Sequence, residues 1–446
     1  MNRHTVRLAA LAAGTVLAVA LSDSPASLAQ TPPTGAIWAL TNARIIDGTG
    51  RPAIERGTLV VTNGRITAVG PAGSVQVPAG AQRVDASGKT IVPGFINAHA
   101  HLNVERGATR PVRDDLVRRL KMYANYGVTS AVSLGSTQAD EAEGLKLMQE
   151  QEHPGLDRAR LYTAGLNAVG KTPEEARASV VRLAGEKAFA VKFHINGNPN
   201  DMNQATWAAI VDEARKQGLK SSVHVYYHKD AKAAIDEGVN SIAHSIRDQD
   251  VTPELIAEMK QKNVAYIPTL TRDLAIFVYE STPEFLKDPF FVRGMSLYGE
   301  QVPNLTTPEW QEKVRKDPAT AQIKKAILQG ERNLKLLSDA GIPIAMGTDS
   351  GVANNPGRWQ GYFEQVEMEM MNKAGMSPMQ VLVASTGGAA KVWGLTELGT
   401  LERGKWADFV VLSANPLENI RNTRAIDAVW IAGATLVDVA PVARAK

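Results

Sequence analysis

The sequence predicts an α/β protein, a (β/α)₈ TIM barrel that carries a small β domain. Two observations predict this fold. The middle of the chain alternates apolar strand-like segments with amphipathic helical ones about eight times, the number of units in such a barrel. Both chain ends instead carry short β-like segments separated by turn signals such as Asn63-Gly64. An open, doubly wound sheet is the alternative, but no glycine-rich phosphate-binding motif follows a strand, which argues against it.

The β-like segments at the two chain ends have the same character, so we expect them to form one composite β-sandwich domain, residues 30–92 and 397–446. The barrel then occupies residues 93–396. Its predicted strands are residues 91–96, 128–134, 160–164, 190–195, 221–225, 241–244, 265–270 and 342–346. Helical patterns lie between them, and the clearest start is Thr172 as N-cap with Pro173 in the first turn.

One stretch, residues 271–320, interrupts the alternation between the seventh predicted strand and its helix. It contains several aromatic residues and mixed charges. Loops that follow strands lie on the catalytic face of a barrel, so we expect a helical insertion that walls or covers the site as a lid. A mobile excursion on the surface is the alternative.

Composition excludes several functional classes. The 446 residues are 44% hydrophobic and 21% charged, and 49 basic side chains oppose 46 acidic ones for a net charge of +3. This balance gives no reason to expect nucleic acid as a partner. The chain has no cysteine, which excludes disulfides, a thiolate nucleophile and a lipid-modified cysteine. Any metal site must therefore use histidine, carboxylate or modified lysine.

The N-terminus has the pattern of a secretory signal peptide, residues 1–29. Arg3 and Arg7 precede an apolar run over residues 8–21, and small residues end at Ala29. The run is shorter than the roughly 20 residues that a membrane span needs, although a short membrane anchor is the alternative. No Arg-Arg pair precedes the apolar run, which favours the general secretory route. We expect export across the inner membrane to the periplasm, with no membrane contact after cleavage.

An apolar run ends in His99-Ala100-His101. Residues i and i+2 of a β-strand point to the same side, so the two imidazoles face one spot. Two such side chains suit one metal ion, although a strand end with two surface histidines gives the same pattern.

The ends of the other predicted strands carry further polar residues. Because strand C-termini converge on one mouth of a barrel, the side chains there are expected to meet. They are His99, His101, Lys192, His224, His244 and Asp349. Lys192 lies between apolar residues and would be costly to bury with its charge. Each residue also has a structural explanation: a hydrogen-bonded histidine, a capping aspartate, or a lysine that reaches the surface.

These motifs resemble the amidohydrolase superfamily of metal-dependent hydrolases. The resemblance rests on Pro93-Gly-Phe-Ile-Asn-Ala-His-Ala-His101, the histidines of strands five and six, Gly347-Thr-Asp349, and the C-terminal segment 399–412. Within the superfamily, the chain is most similar to the imidazolonepropionase-related and prolidase-like (Xaa-Arg, Xaa-Pro dipeptidase) branch. Asn97 departs from the pattern, since many members have aspartate there. That residue is not usually a ligand, so the metal site is not affected.

The resemblance implies two divalent metal ions, with Zn²⁺ expected and Mn²⁺ or Co²⁺ as alternatives. His99, His101 and Asp349 would hold the more buried ion. His224 and His244 would hold the second ion. Lys192 would bridge the two as an N6-carboxylated lysine. His194 lies on the same strand face as Lys192 and is expected to contact the ligands without binding a metal ion itself.

The resemblance also implies a reaction. A metal-bridged hydroxide would attack an amide or peptide-like C–N bond of a small substrate, a dipeptide or an N-acyl amino acid. Asp349 would be the catalytic residue that takes the proton of the water and delivers it to the leaving nitrogen. The same site also suits a lactone, a carboxylic ester or a phosphotriester. A non-catalytic binding protein is a third alternative, but all six ligand positions are filled.

Five residues near the expected mouth are candidate substrate contacts. A basic side chain there would hold a substrate carboxylate, although helix capping and packing explain such residues equally well. The candidates are Tyr226, Tyr227, His228, Arg247 and Arg272. Whether the protein forms a homo-oligomer is left open by the sequence.

Overall fold

The computed structural model describes residues 36–104, 108–197, 201–352 and 355–436. The predicted signal peptide, residues 1–29, lies outside the described residues. The strands are β1 (Ile37–Ile45), β2 (Ile54–Thr62), β3 (Arg65–Pro71), β4 (Gln82–Asp85), β5 (Thr90–Pro93), β6 (Phe95–Ala100), β7 (Val128–Ser133), β8 (Arg160–Thr163), β9 (Ala190–His194), β10 (Lys220–His224), β11 (Ser241–Ala243), β12 (Ala265–Ile267), β13 (Phe409–Leu412), β14 (Ile426–Ile431) and β15 (Ala434–Leu436).

Helices alternate with the central strands. They are α1 (Val112–Asn125), α2 (Glu141–Gln149), α3 (Pro173–Gly185), α4 (Gln204–Lys216), α5 (His228–Asp236), α6 (Pro253–Lys262), α7 (Leu270–Phe277), α8 (Pro289–Val292), α9 (Met295–Tyr298), α10 (Val302–Leu305), α11 (Pro308–Lys316), α12 (Pro318–Asp339), α13 (Tyr362–Lys373), α14 (Pro378–Ala384) and α15 (Gly387–Trp393). Short 3-10 helices lie at Val278–Glu280, Glu284–Lys287 and Ile420–Arg424. Within the described ranges, no helix has the length and hydropathy that crossing a membrane requires.

Strands from both chain ends share one eight-stranded sheet. Its order is β15-β14-β13-β5-β1-β2-β3, with β4 paired to β1. The turn between β2 and β3 is Asn63-Gly64, and both residues have positive φ (49° and 77°), as a tight hairpin requires. The two chain ends therefore pair by backbone hydrogen bonds, while their arrangement as a sandwich stays a prediction.

The predicted strand 91–96 is in fact two strands that separate at Gly94. β5 pairs with β1 and β13 in the terminal sheet, whereas β6 pairs with β7 in a parallel sheet. A Cβ atom at Gly94 would lie 2.0 Å from Thr129 Oγ1, so only glycine fits where the chain changes sheets. The apolar pattern runs through this point without a break, which is why it predicted one strand.

The middle of the chain is a mixed α/β fold with two parallel sheets, β6-β7-β8 and β9-β10-β11-β12. The Phe189 amide donates to the Thr163 carbonyl (2.8 Å) where the first sheet passes to the second. The predicted eighth strand, residues 342–346, forms only an isolated bridge between Ile344 and Tyr266. Ala98 N also donates to Met346 O at 2.7 Å, so this segment lies between the two sheets.

The stretch 271–320 is helical, as predicted, and comprises most of α7, α8 to α11 and the start of α12. Its aromatic residues pack against the segment that leads into α13. The rings of Tyr298 and Trp359 are 4.9 Å apart, and Phe291 lies 5.1 Å from Tyr362. Since Phe291 is fully buried, this part of the insertion is packed into the protein. Movement as a lid stays a prediction.

Candidate metal centre

The three residues predicted for the more buried ion meet at one point. His99 lies near the end of β6, His101 follows that strand, and Asp349 follows the bridge segment. Asp349 Oδ1 lies 2.9 Å from His101 Nε2 and 3.2 Å from His99 Nε2. One ligand atom from each residue lies within 4.8 Å of the other two. The structure therefore brings together predicted ligands that are far apart in the sequence. His101 and Asp349 are separated by 248 positions.

The hydrogen-bond geometry of His101 suits a cation at this cluster. His101 Nδ1 lies 3.0 Å from the Gly135 carbonyl oxygen, which can only accept, so Nδ1 carries the hydrogen. In the neutral ring, Nε2 then has a lone pair that faces the Asp349 carboxylate at 2.9 Å. Two acceptors at this distance need a proton or a metal ion between them. This is the usual orientation of a metal-ligating histidine, with its other nitrogen bound to a carbonyl.

The remaining predicted ligands lie beside this group on neighbouring strands. The ring of His244 is 4.7 Å from that of His99 and 4.3 Å from that of His224. Lys192 is 1% exposed on β9, and among the described residues its Nζ has no hydrogen-bond partner. A buried, unpartnered amine of this kind fits modification to a ligand better than a structural role. His194 ends β9, and its ring lies 4.9 Å from that of His224.

Burial controls the charges of these groups. It lowers the pKa of Lys192 to about 7, with Asp349 opposing the shift. It also lowers the pKa of His99 and of His194 to about 3. The pKa values of His224 and His244 lie well below the usual value for the same reason. At neutral pH the imidazoles are therefore unprotonated, as ligation requires, and much of Lys192 is a neutral amine.

The backbone is strained at the same point. His244, Thr269 and Asp349 have φ values of 71°, 51° and 57°, which non-glycine residues adopt at a cost. Thr269 Oγ1 lies 2.7 Å from His244 Nδ1 and so orients that ring. Strain of this kind concentrates at functional sites, and for a β-branched residue such as Thr269 it is rare. Nothing in the sequence marks Thr269, because its role depends on a backbone angle.

The two oxygens of Asp349 face different groups. Oδ1 faces the histidines, while Oδ2 is paired with Arg358 and lies 3.5 Å from Arg272 Nε. Burial raises the pKa of Asp349, but the electrostatic effects of nearby His244 and Arg358 outweigh it and hold the pKa well below its usual value. Arg358 was not predicted. The sequence feature that could have identified Arg358 is its position nine residues after Asp349, in a loop that follows a strand-end residue.

A buried polar network holds the segment that carries Asp349. Glu364 Oε1 accepts hydrogen bonds from Thr348 Oγ1 (2.9 Å) and Ser350 Oγ (2.8 Å), the two neighbours of Asp349. The Asn97 amide donates to both Glu364 Oε1 and Thr348 Oγ1. An aspartate at position 97 would set a second carboxylate against Glu364, so the asparagine found here is compatible with this network.

The candidate substrate contacts lie in two places. Arg272 contacts Asp349 directly. Tyr226, Tyr227 and Arg247 line an open groove of about 630 Å³ beside α12. Arg247 stacks on the Tyr226 ring at 4.7 Å and its Nε lies 3.3 Å from Asp273 Oδ2. His228 begins α5, and its backbone nitrogen donates to Asp248 Oδ1 (2.8 Å). Their roles toward a substrate stay predictions.

This fold and this cluster of buried histidines, a lysine and an aspartate suit a metal-dependent hydrolase. Residues 90–436 match the family model described as "Amidohydrolase family", and the chain belongs to that family. The predicted superfamily is thus confirmed, and a structural neighbour named as a prolidase supports the prolidase-like branch. The prediction of a hydrolase is confirmed at the level of the family, and relatives are named as a deaminase and an N-acyl-D-aspartate deacylase. Metal dependence is typical of this family.

Individual relatives are more distant. The ochratoxinase of Aspergillus niger is 28% identical over 293 residues, which are 62% of this chain and 52% of the relative. The chain thus matches about half the length of that relative. A deacetylase of Agrobacterium fabrum, Atu3266, is 34% identical over 141 residues, 30% of this chain and 32% of the relative. Among solved structures, a candidate prolidase from Bifidobacterium longum has a TM-score of 0.71 and 26% identity, covering 92% of this chain and 97% of that one.

Proposed function

We propose that the protein is an exported binuclear metallohydrolase that cleaves the amide bond of a dipeptide or an N-acyl amino acid. The observation that carries this proposal is the pair of imidazole Nε2 atoms facing Asp349 Oδ1 at 2.9 and 3.2 Å. Relatives support the substrate class: their names include an N-acyl-D-aspartate deacylase and a candidate prolidase. We further propose that the two parallel sheets and the Ile344 bridge belong to one closed (β/α)₈ barrel.

The residues present fit two divalent metal ions, with Zn²⁺ expected first. His99, His101 and Asp349 would hold one ion, and His224 and His244 the other. Lys192, once carboxylated, would offer an oxygen to each. When bound, the ions would supply an activated water and polarise the substrate carbonyl.

The protein's own groups then have distinct tasks. Asp349 accepts the proton of the attacking water and passes it to the leaving nitrogen as general base and then acid. The Gly135 carbonyl keeps the His101 proton on Nδ1 and leaves Nε2 free. Glu364 and Asn97 hold the two residues that flank Asp349. The helical insertion limits access of bulk water, which strengthens the electrostatic interactions inside the site.

A metal-loading screen tests the proposed function. The mature protein is stripped with a chelator, reloaded with Zn²⁺, Mn²⁺ or Co²⁺, and assayed on dipeptides and N-acyl amino acids. Panels of esters, lactones and phosphotriesters are assayed alongside. We expect turnover of amide substrates that depends on the metal. Turnover of only the ester, lactone or phosphotriester panels would replace the amide proposal, and no metal uptake would contradict the metal site.

Export is proposed from residues 1–29 alone. Expression of the full chain in a Gram-negative host should release a periplasmic protein whose first residue is Gln30. Intact-mass measurement of the osmotic-shock fraction checks the cleavage site. Uncleaved chain that stays in the membrane fraction would indicate the anchor alternative instead.

A further inference from the structure

Two guanidinium groups approach the Asp349 oxygen that does not face the histidines. Arg358 Nη1 pairs with Oδ2, and Arg272 Nε lies 3.5 Å from the same atom. Both side chains keep some solvent contact, 10% for Arg358 and 18% for Arg272. Arg358 also lines a cavity of about 30 Å³ between the site and the helical insertion. The two guanidiniums are therefore only partly shielded from solvent.

The charges around these residues do not balance. Three guanidiniums, of Arg247, Arg272 and Arg358, share two carboxylates, of Asp273 and Asp349. Asp273 accepts from Arg272 at 2.8 Å and pairs with Arg247, whose side chain is only 2% exposed. In the described part of the chain, Arg358 has no ion-pair partner other than Asp349. A guanidinium carries five N–H donors, so Arg358 keeps donors for another anion while it pairs with Asp349 Oδ2.

The position of Arg358 indicates which anion. In a dipeptide or an N-acyl amino acid, the α-carboxylate sits on the carbon that bears the scissile nitrogen. Asp349 is the group proposed to protonate that nitrogen, so a guanidinium in contact with Asp349 is within reach of the carboxylate. We infer that Arg358, assisted by Arg272, binds the α-carboxylate of the substrate. This inference rests on the proposed function and makes a free carboxylate next to the cleaved bond the defining feature of the substrate.

The kinetic test compares one substrate in two forms. The fastest amide substrate of the screen is assayed with its free carboxylate and as the C-terminal carboxamide, on the wild type, Arg358→Met and Arg358→Lys. We expect the wild type to prefer the acid, and Arg358→Met to lower the ratio of kcat/KM for the acid to kcat/KM for the carboxamide by about 10- to 100-fold, in addition to any loss that the two forms share. Arg358→Lys should recover part of the preference, because lysine keeps the positive charge but lacks the paired N–H donors of a guanidinium.

A matched control is Arg215→Met, which removes an arginine that is 70% exposed on α4. It should leave the preference for the acid unchanged. An equal loss for acid and carboxamide in Arg358→Met would overturn the inference, because it would show that Arg358 only orients Asp349. A wild type with no preference between the two forms would overturn it as well.

A binding measurement separates this inference from the proposed function. Calorimetry with the metal-free protein compares N-acetyl-L-phenylalanine with its carboxamide. We expect the wild type to bind the acid more tightly by about tenfold and Arg358→Met to bind both equally. Wild-type protein that binds both probes equally, or neither, would overturn the inference. If nothing in the screen is hydrolysed, the proposed function is wrong, while this measurement still decides the role of Arg358.

Discussion

Lys192 shows how the position of one side chain determines its chemistry. It is 1% exposed, and burial brings the pKa of its amine to about 7. A neutral amine reacts with CO₂, whereas an ammonium group does not. The resulting carbamate would be an anion among neutral imidazoles, where two cations would stabilise it. The same burial that makes a charged lysine costly here therefore favours its modification.

We predict a carbamate on Lys192 that forms more readily as pH rises. In ¹³C-bicarbonate with zinc, a carbamate signal should appear by NMR and grow from about pH 6 to about pH 8, because the neutral amine becomes the main form near pH 7. Lys192→Ala should lose the signal. Lys216→Ala, which removes a lysine that is 56% exposed, should keep it. A zinc-saturated protein without the signal would contradict the prediction.

Asp349 is the residue for which we predict the largest loss of turnover. Asp349→Asn keeps an oxygen for the metal but cannot accept a proton, so kcat should fall by about 10²- to 10⁴-fold. Metal content measured by atomic absorption must accompany kcat. Asp250→Asn, at a carboxylate that is 69% exposed, is the control and should behave as the wild type. Near-normal turnover of the metal-loaded Asp349→Asn protein would be inconsistent with the assigned role.

At the scale of elements, α13 positions the residues that follow β12. Glu367 on α13 accepts from the Leu270 and Thr271 backbone nitrogens at 2.8 and 2.7 Å. These are first-turn amides of α7, which have no partner within the helix. The turn that they form carries Arg272, the neighbour of Asp349. One buried carboxylate thus connects α13 to a side chain of the site.

Glu367 also predicts a pH dependence of stability. Burial raises its pKa from 4.5 to about 8, so the folded protein binds the proton more tightly than the unfolded chain does. The contribution of Glu367 to the free energy of unfolding is therefore fully present below about pH 4.5 and is lost as pH rises to about 8. Glu367→Gln mimics the protonated acid. The unfolding free energy of the wild type minus that of Glu367→Gln should decrease over this range in urea titrations. A constant difference would rule out the raised pKa.

At the scale of the whole molecule, a buried ion pair joins the parallel sheets to the terminal sheet. Arg160 begins β8, and its Nε lies 2.7 Å from Asp408 Oδ2, just before β13. The two side chains are 0% and 3% exposed. Asp408 also accepts from the Ala432 backbone nitrogen at 2.7 Å, and Trp406 lies under the Arg160 guanidinium at 4.6 Å. This pair thereby connects the C-terminal strands to the central parallel sheets.

Breaking this pair should be strongly destabilising. Arg160→Met leaves the Asp408 carboxylate buried without its partner and should cost about 3–5 kcal/mol of unfolding free energy. The double variant with Asp408→Asn should cost less than the sum of the single changes, because it leaves no unpaired charge. Denaturant unfolding measures both. Arg315→Met removes one partner of an exposed pair with Glu312 and should change stability little. Equal effects at the two sites would refute the prediction.

The sequence by itself determined the family and predicted the candidate ligands. His99 and His101 are two residues apart, and Lys192, His224, His244 and Asp349 each stand at or near a predicted strand end. Alternation along strands and the convergence of strand ends are local and periodic properties, so the residue pattern carries them. The helical character of the insertion was predictable for the same reason.

Only the tertiary structure decided which groups surround those ligands. Arg358, Glu364, Glu367 and Thr269 reach the site from loops and helices whose own patterns give no sign of it. The break at Gly94 and the isolated bridge at Ile344 likewise depend on contacts with distant segments. Periodicity describes how a residue relates to its neighbours in sequence, whereas an ion pair or a strained backbone angle depends on what packs against it. The charged groups around Asp349 come together only in the tertiary structure. The substrate carboxylate that we infer from them therefore could not be predicted from the sequence.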